Sequence, residues 1–388
     1  MKLHARGLRS LGTTSPGPFV GRISESAGDK GACSGEELLL VKAEASALPP
    51  GYLGYLLYHP TDVGSLRDAY VLGPEQRHLQ HGDVVRIDPA RGGISSIYRA
   101  ASRHNTLLVT ERCDNLCVMC SQPPRVQDDS WLADELERAI VLIPKDAVEL
   151  GITGGEPALL GARLVRILTL MRDHLPRTAV HILTNGRRFA EPAFAGAMGA
   201  IGHPDLMLGI PLYSDLPEEH DYVVQARGAF DETVRGILNL KRKRLRVELR
   251  FVIHRDTAGR LPDFARFVAR NLTFLDHVAL MGLEVMGFAK TNLDTLWIDP
   301  LDYQPELAEA IRTLRRANMA VSIYNHQLCT LDADLHPFAR KSISDWKNCF
   351  FAECEGCARK DDCGGFFVSS SARRSRGIRP LPPGAPTR

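Results

Sequence analysis

The sequence has no apolar run approaching the ~18 residues needed to span a bilayer, so no membrane-crossing helix is expected. It has almost no charge imbalance. Lys and Arg number 48 against 46 Asp and Glu, a net +2, which argues neither for nor against nucleic acid. The basic N-terminus (MKLHARGLRS) is followed by no apolar segment of the kind a secretory signal carries. A reducing cytoplasm is therefore the expected setting for the nine cysteines, where clustered thiols hold metal or act in catalysis rather than pair as disulfides. Core-forming material is not lacking. With 44% hydrophobic and 24% charged residues over 388 positions, the chain can bury a full core, as one large domain with appendages or as two to three smaller ones.

Residues 1–35 are rich in Gly, Ser and Pro and are expected to be disordered. From 36 to 103, short apolar runs (ELLLVKAEA, YLGYLLYH, AYVLG, GDVVRIDP, GISSIYRA) alternate with turn residues and predict a small β-rich N-terminal domain. From 104 to 300, strand and helix patterns alternate. Strands are expected at 107–110, 147–153, 179–183, 206–212, 247–253 and 278–285, with amphipathic helical segments between them, such as Leu160 to Leu175. Six such repeats predict an α/β fold with a parallel sheet, a partial (β/α)6 barrel with functional residues at the carboxyl ends of its strands. Residues 301–368 form a cysteine-rich C-terminal region after a helix and one more strand, at 320–324. The tail, 369–388, has five Arg, four Pro and no acidic residue, and is expected to be disordered. The basic run Lys241 to Arg246 closes a predicted helix, where the dipole favours cations, and nucleic-acid binding is not expected.

The chain is organised around Leu107 to Trp131. Cys113, Cys117 and Cys120 form C-x3-C-x2-C directly after a predicted strand. Three thiolates there can hold three irons of a 4Fe–4S cluster and leave the fourth iron open. Zinc motifs instead favour paired C-x2-C units. The next strand ends in Gly154-Gly155-Glu156-Pro157, 34 residues past Cys120. Its glycines let backbone approach a ligand closely, and Glu156 can pair with an ammonium group. The two motifs together resemble the radical S-adenosylmethionine (SAM) superfamily, which shows C-x3-C-x-φ-C after its first strand and Gly-Gly-Glu-Pro after its second. The resemblance implies a 4Fe–4S cluster that binds SAM and, on one-electron reduction, yields a 5′-deoxyadenosyl radical. Met119, before the third cysteine, would pack beside the adenine. Asn185 would hydrogen-bond the methionyl carboxylate, and Ser214 or Asp215 would reach the ribose, although Pro211 stands where the superfamily commonly has Ser. A turn serine is also an ordinary backbone cap. His220 and Asp221 are expected to be loop structure.

A second group, Cys354, Cys357 and Cys363, forms C-x2-C-x5-C, with Cys329 or Cys349 able to complete four thiolates for a second 4Fe–4S cluster or an all-thiolate zinc site. Cys33 stands alone and is expected to be inert. Several segments, NTLLVTERCDNLCVMCSQPP, LGITGGEP, IPLYSD, YNHQLC, SISDWKN and CEGC-x5-CGGFF, are similar to one group within the superfamily, the maturases of the His-Xaa-Ser peptide system. That resemblance runs from about Gly82 to Ser370. It implies Cys329, Cys354, Cys357 and Cys363 as auxiliary ligands, with Cys349 the spare. It also implies a ribosomally made His-Xaa-Ser repeat peptide as substrate, a sister maturase, and an electron donor such as ferredoxin or flavodoxin. The rival readings are radical modification of a small molecule or a tRNA base, and a zinc-binding scaffold without turnover.

Overall fold

The computed structural model describes residues 3–12, 17–25, 35–45, 47–61, 64, 66–341 and 349–383. Cys33 and the Ser342–Asn348 stretch of the family resemblance lie outside them.

The N-terminal part is an eight-stranded sheet. Its strands are β1 (Leu3–Arg6), β2 (Arg9–Gly12), β3 (Phe19–Ser24), β4 (Glu37–Val41), β5 (Gly54–Leu57), β6 (Ala69–Val71), β7 (Val84–Asp88) and β8 (Gly93–Tyr98). They lie in the order β1-β8-β7-β3-β4-β5-β6-β2. The two edge strands are consecutive in sequence and joined through Gly7, at φ +99°, so the sheet curls back on itself. The central strands are apolar on both faces: Leu38, Leu40 and Leu56 pack on one side, Leu39, Tyr55 and Leu57 on the other. Here the structure corrects the expectation of disorder over 1–35. Strands β1, β2 and β3 fall inside that range, and β3 sits in mid-sheet with Ile23 fully buried. Its Gly-rich composition hid it: Gly21 lies where a Cβ would meet Leu38 at 2.9 Å, so glycine there serves close strand packing.

The second sheet has seven parallel strands in strict chain order: β9 (His104–Thr110), β10 (Glu149–Gly154), β11 (Ala179–Leu183), β12 (Leu206–Pro211), β13 (Arg246–Ile253), β14 (His277–Gly282) and β15 (Val321–Tyr324). Between them run α1 (Ser130–Leu142), α2 (Ala162–His174), α3 (Pro192–Ala200), α4 (Pro217–Val224), α5 (Ala229–Arg242), α6 (Arg255–Ala258), α7 (Leu261–Asn271), α8 (Gly287–Thr291), α9 (Leu293–Leu296) and α10 (Gln304–Arg316). This is the expected partial barrel with one strand more. Because β15 pairs in parallel with β14, the sheet continues past residue 300, where the sequence pattern had ended it.

One face of this sheet supplies the core. Leu107, Val109, Leu150, Ile152, Leu208 and Leu249 meet helix residues such as Leu136, Ile140, Leu164 and Leu168. The alternate residues on the strands point the other way, and many are polar. Glu248 accepts from His277 Nδ1 (2.8 Å) and Arg250 (3.2 Å), and His277 Nε2 meets Ser322 Oγ at 2.9 Å. Parallel strands buried on both faces read as continuous apolar runs. The polar positions Glu248 and Arg250 that alternate with apolar ones in RVELRFVI therefore mark a polar inner face.

Candidate active site and a second cysteine site

Strand β9 ends at Thr110, and the cysteine loop leaves from it across the carboxyl end of the sheet. The loop is held at many points. Leu116 N and Val118 N donate to the carbonyls of Val224 and Val223 at the end of α4 (3.1 and 3.0 Å). Phe288 N donates to the Cys120 carbonyl (2.8 Å), and Asn292 Nδ2 to that of Val118 (2.8 Å). At its start, buried Asp129 accepts from Thr110 Oγ1 (2.9 Å) and Arg112 Nε (3.1 Å). Cys113, Cys117 and Cys120 are all partly buried on this one loop. Burial pushes the Cys113 and Cys117 thiols up to about 12, with each further raised by its cysteine neighbours. Ionising these thiols is costly unless a cationic group compensates, which suits a metal-cluster loop.

Gly154 and Gly155 extend β10 alongside the root of that loop. Gly155 N donates to Thr110 O (2.9 Å) and Glu156 N to Arg112 O (2.7 Å). A Cβ on Gly154 would come within 2.7 Å of the Thr110 carbonyl oxygen, and one on Gly155 would overlap that of Arg112. The close approach that the two glycines permit is thus to the cysteine loop's own backbone.

Glu156 is 1% exposed, and both its oxygens are engaged. Oε1 accepts from Ala158 N (2.8 Å) and Thr184 Oγ1 (2.6 Å), and Oε2 from Asn185 N (2.5 Å). Burial raises its pKa to about 7 against those three donors. Within the chain this side chain is a strut tying the end of β10 to the turn after β11. Pro157 follows it, buried at the start of a short 3-10 turn. Asn185 donates through Nδ2 to Asp114 (2.6 Å), so it braces the cysteine loop. Ser214 donates to Glu219 (2.7 Å) and accepts from Leu216 N (3.1 Å), a local cap. Asp215 is held by Arg260 through two hydrogen bonds (3.0 and 2.7 Å). In this arrangement both side chains expected at the ribose are committed within the chain. Met119, 6% exposed, packs with Tyr213, Val223 and Ala289 behind the loop. His220 and Asp221, expected in a loop, lie instead within α4, where they accept from the backbone N–H groups of Tyr213 (3.1 Å) and Phe230 (2.8 Å) respectively.

One brace escaped the sequence reading. Arg187 donates to Asp114 O (2.9 Å) and Asn115 Oδ1 (2.6 Å) while Glu232 holds its Nε (2.6 Å). The Asn-Gly turn was visible in sequence, but nothing there tied the arginine after it to a loop some 70 residues earlier.

At the other end of the chain, Cys329, Cys354, Cys357 and Cys363 border a single cavity. Cys349 lies apart from that lining. Its backbone exchanges hydrogen bonds with Phe366 (2.9 and 2.8 Å), bringing the two ends of the cysteine module together. Among the described residues no three His, Cys, Asp or Glu side chains converge on the position of a single metal ion. The four thiols surround a space instead, and a four-iron cluster is a body with width of its own. The tail expected to be disordered proves to be structured through Pro383. It reaches this cavity: Arg379 and Leu381 line it.

Residues 107–268 match the family model described as the Radical SAM superfamily. That stretch, strands β9 to β13 with the helices between them, holds both the cysteine loop and the Gly154–Pro157 strand end. Among solved structures the chain is similar to SuiB of Streptococcus suis bound to S-adenosylmethionine, at 14% identity and TM-score 0.47, covering 59% of this chain and 51% of that one. The chain therefore spans about half the length of SuiB. It is also similar to SuiB bound to the precursor peptide SuiA (16% identity, TM-score 0.46, 57% and 48% covered). Native anSMEcpe with bound AdoMet and the Cp18Cys peptide is a third (17%, 0.43, 56% and 62%). No curated protein matches the chain. No helix among the described residues is long and apolar enough to cross a membrane.

Proposed function

We propose that this enzyme cleaves SAM reductively at the Cys113–Cys117–Cys120 cluster and uses the 5′-deoxyadenosyl radical to modify a ribosomally made peptide, a His-Xaa-Ser repeat peptide, as a post-translational maturase. The observation that carries the radical half is the cysteine loop itself. Three half-buried thiols leave the end of β9, with the Gly154-Gly155 strand end paired to the loop's root. Bound there, the cluster and SAM supply the radical chemistry. The chain's own residues hold the loop, through Arg187, Asn185 and the Val223–Val224 carbonyls, and keep water from its back through Met119, Tyr213 and Val223. The peptide half rests on the resemblance of the segments from Asn105 to Pro124 and from Tyr324 to Phe367. Support also comes from the polar inner face of the sheet, where Arg250, His277 and Tyr324 keep partial exposure and offer donors and acceptors to a polar chain. In the same reading Cys329, Cys354, Cys357 and Cys363 hold a second 4Fe–4S cluster.

The test is mass spectrometry of a His-Xaa-Ser repeat peptide co-expressed with this enzyme and with a Cys113→Ala/Cys117→Ala/Cys120→Ala version. A mass change present only with the intact enzyme is expected. An unmodified peptide, with 5′-deoxyadenosine still released under a strong reductant, would reject the peptide and return attention to a small molecule or tRNA base. A colourless protein releasing none would support a zinc scaffold.

A further inference from the structure

The tail that composition assigned to disorder is fastened at four successive points. Arg373 pairs with Asp294 (2.9 Å) and lies over the Trp297 ring (5.3 Å). Arg374 pairs with Glu353 (2.7 Å) and lies over Phe351 (4.7 Å). Buried Asp299 accepts from Ser375 Oγ (2.5 Å) and Arg376 N (2.9 Å), and the Arg376 guanidinium pairs with Asp302. Gly377 is buried against Leu301, where a Cβ would come within 2.8 Å of that side chain. Beyond this anchor the chain crosses the second cysteine cavity. Ala358 N donates to Leu381 O (2.9 Å), Leu381 N donates to Cys357 Sγ (3.4 Å), and Arg379 lines the cavity beside Cys329. The prolines explain how so short a segment holds its shape. Pro380, Pro382 and Pro383 flank Leu381, fix φ and reduce the freedom lost on ordering.

We propose that residues 373–383 are the closing wall of the second cysteine site, and that Leu381 is a positioning residue setting the potential of the group held there. The proposal rests on the reading of that site as a 4Fe–4S cluster. Four thiols already border the cavity, so a cluster held by all of them has no open iron. The tail covers the side on which the cysteine module, residues 349–367, does not close. Backbone N–H donation withdraws electron density from a thiolate sulfur and stabilises the reduced cluster. Gly365 N does the same at Cys363 (3.4 Å), so the tail adds Cys357 to the donated set. A site so enclosed exchanges electrons and does not take substrate as a ligand. The anchor segment, Asp294–Asp302, begins within α9 and continues the α8–α9 stretch that carries Phe288 and Asn292 against the first cysteine loop. The wall of one site is thus tied to the support of the other.

The test uses the full chain reconstituted anaerobically with Cys113, Cys117 and Cys120 replaced by Ala, so that only the second cluster contributes. In this background, a version ending at Gly377 and the single variant Leu381→Pro, which removes one N–H donor, are compared for iron content, EPR midpoint potential and bleaching by an iron chelator. The truncation is expected to keep its iron, shift the potential negative, and bleach on the order of tenfold faster. Leu381→Pro should give a smaller negative shift with bleaching little changed. Unaltered potential and bleaching in both overturn the proposal. Leu381→Pro still decides the potential if the truncation fails to fold. A full-length background protein with no iron–sulfur signal instead overturns the second-cluster reading, and the wall with it.

Discussion

The two cysteine regions bring their thiols together by different means. The first takes three thiols from an eight-residue stretch of one loop, set on the end of a buried strand and braced by the turns after neighbouring strands. The second takes four thiols from a 35-residue span whose described residues form little regular structure beyond short 3-10 turns, and completes its enclosure with a tail from still further along the chain. In the first region local sequence spacing nearly defines the site and tertiary structure supports it. In the second, tertiary structure assembles the site. The first should therefore tolerate losses outside its loop that leave the sheet intact, whereas the second should be sensitive to remote chain.

The largest predicted effects separate the two sites outright. Cys113→Ala should abolish 5′-deoxyadenosine release and remove about half of an iron content near eight per chain, leaving the second site's EPR signal. Cys329→Ala should strip or weaken the second signal alone, while Cys349→Ala, outside the cavity lining, should spare it. Equal losses from both would restore Cys349 as a ligand. Next comes Gly155→Ala, whose methyl would overlap the Arg112 carbonyl: about 2–3 kcal/mol of lost stability is expected, with poor loading of the first cluster only. Arg187→Ala removes two hydrogen bonds to the loop. It should lower stability by about 1–2 kcal/mol and slow reconstitution of the first cluster, read by urea melts and iron uptake.

The smallest effect sharpens the comparison through pH. Beside the first site, burial raises Glu156 from 4.5 to about 7. Its folded pKa lies above the unfolded one, so its contribution is complete below pH 4.5 and is lost as pH rises toward 7. Beside the second, burial lowers His326 from 6.5 to about 4. Its contribution is complete above pH 6.5 and is lost as pH falls toward 4. Thermal midpoints measured across pH 4–8 should therefore lose their alkaline decline in Glu156→Gln and part of their acid decline in His326→Gln. Identical profiles in the two variants would contradict these opposite assignments.

Much of this was legible because it depends on near neighbours. The strands β9 to β14 announce themselves as apolar runs, and the first cysteine triplet is a matter of spacing along eight residues. The β15 strand was seen but placed outside the sheet, since pairing with β14 is a long-range fact. Glu156, Asn185, Ser214 and Asp215 each meet partners within the chain that the sequence does not align with them. Asn185 finds Asp114, and Asp215 finds Arg260. Composition misled at both ends. Glycine in β3 and proline around Leu381 signal flexibility on average, yet here one permits close packing and the other restrains an anchored segment.

By itself, then, the sequence determined the parallel α/β sheet, the three-thiol loop and the existence of a second cysteine group, because periodicity and spacing are properties of the chain. Only the tertiary structure decided which four cysteines share a cavity, that the Gly-Gly pair serves the cysteine loop, and that the tail closes the second site. Those outcomes turn on hydrogen bonds and ion pairs between residues far apart in sequence. Such contacts exist only once the barrel has brought both ends of the chain to it.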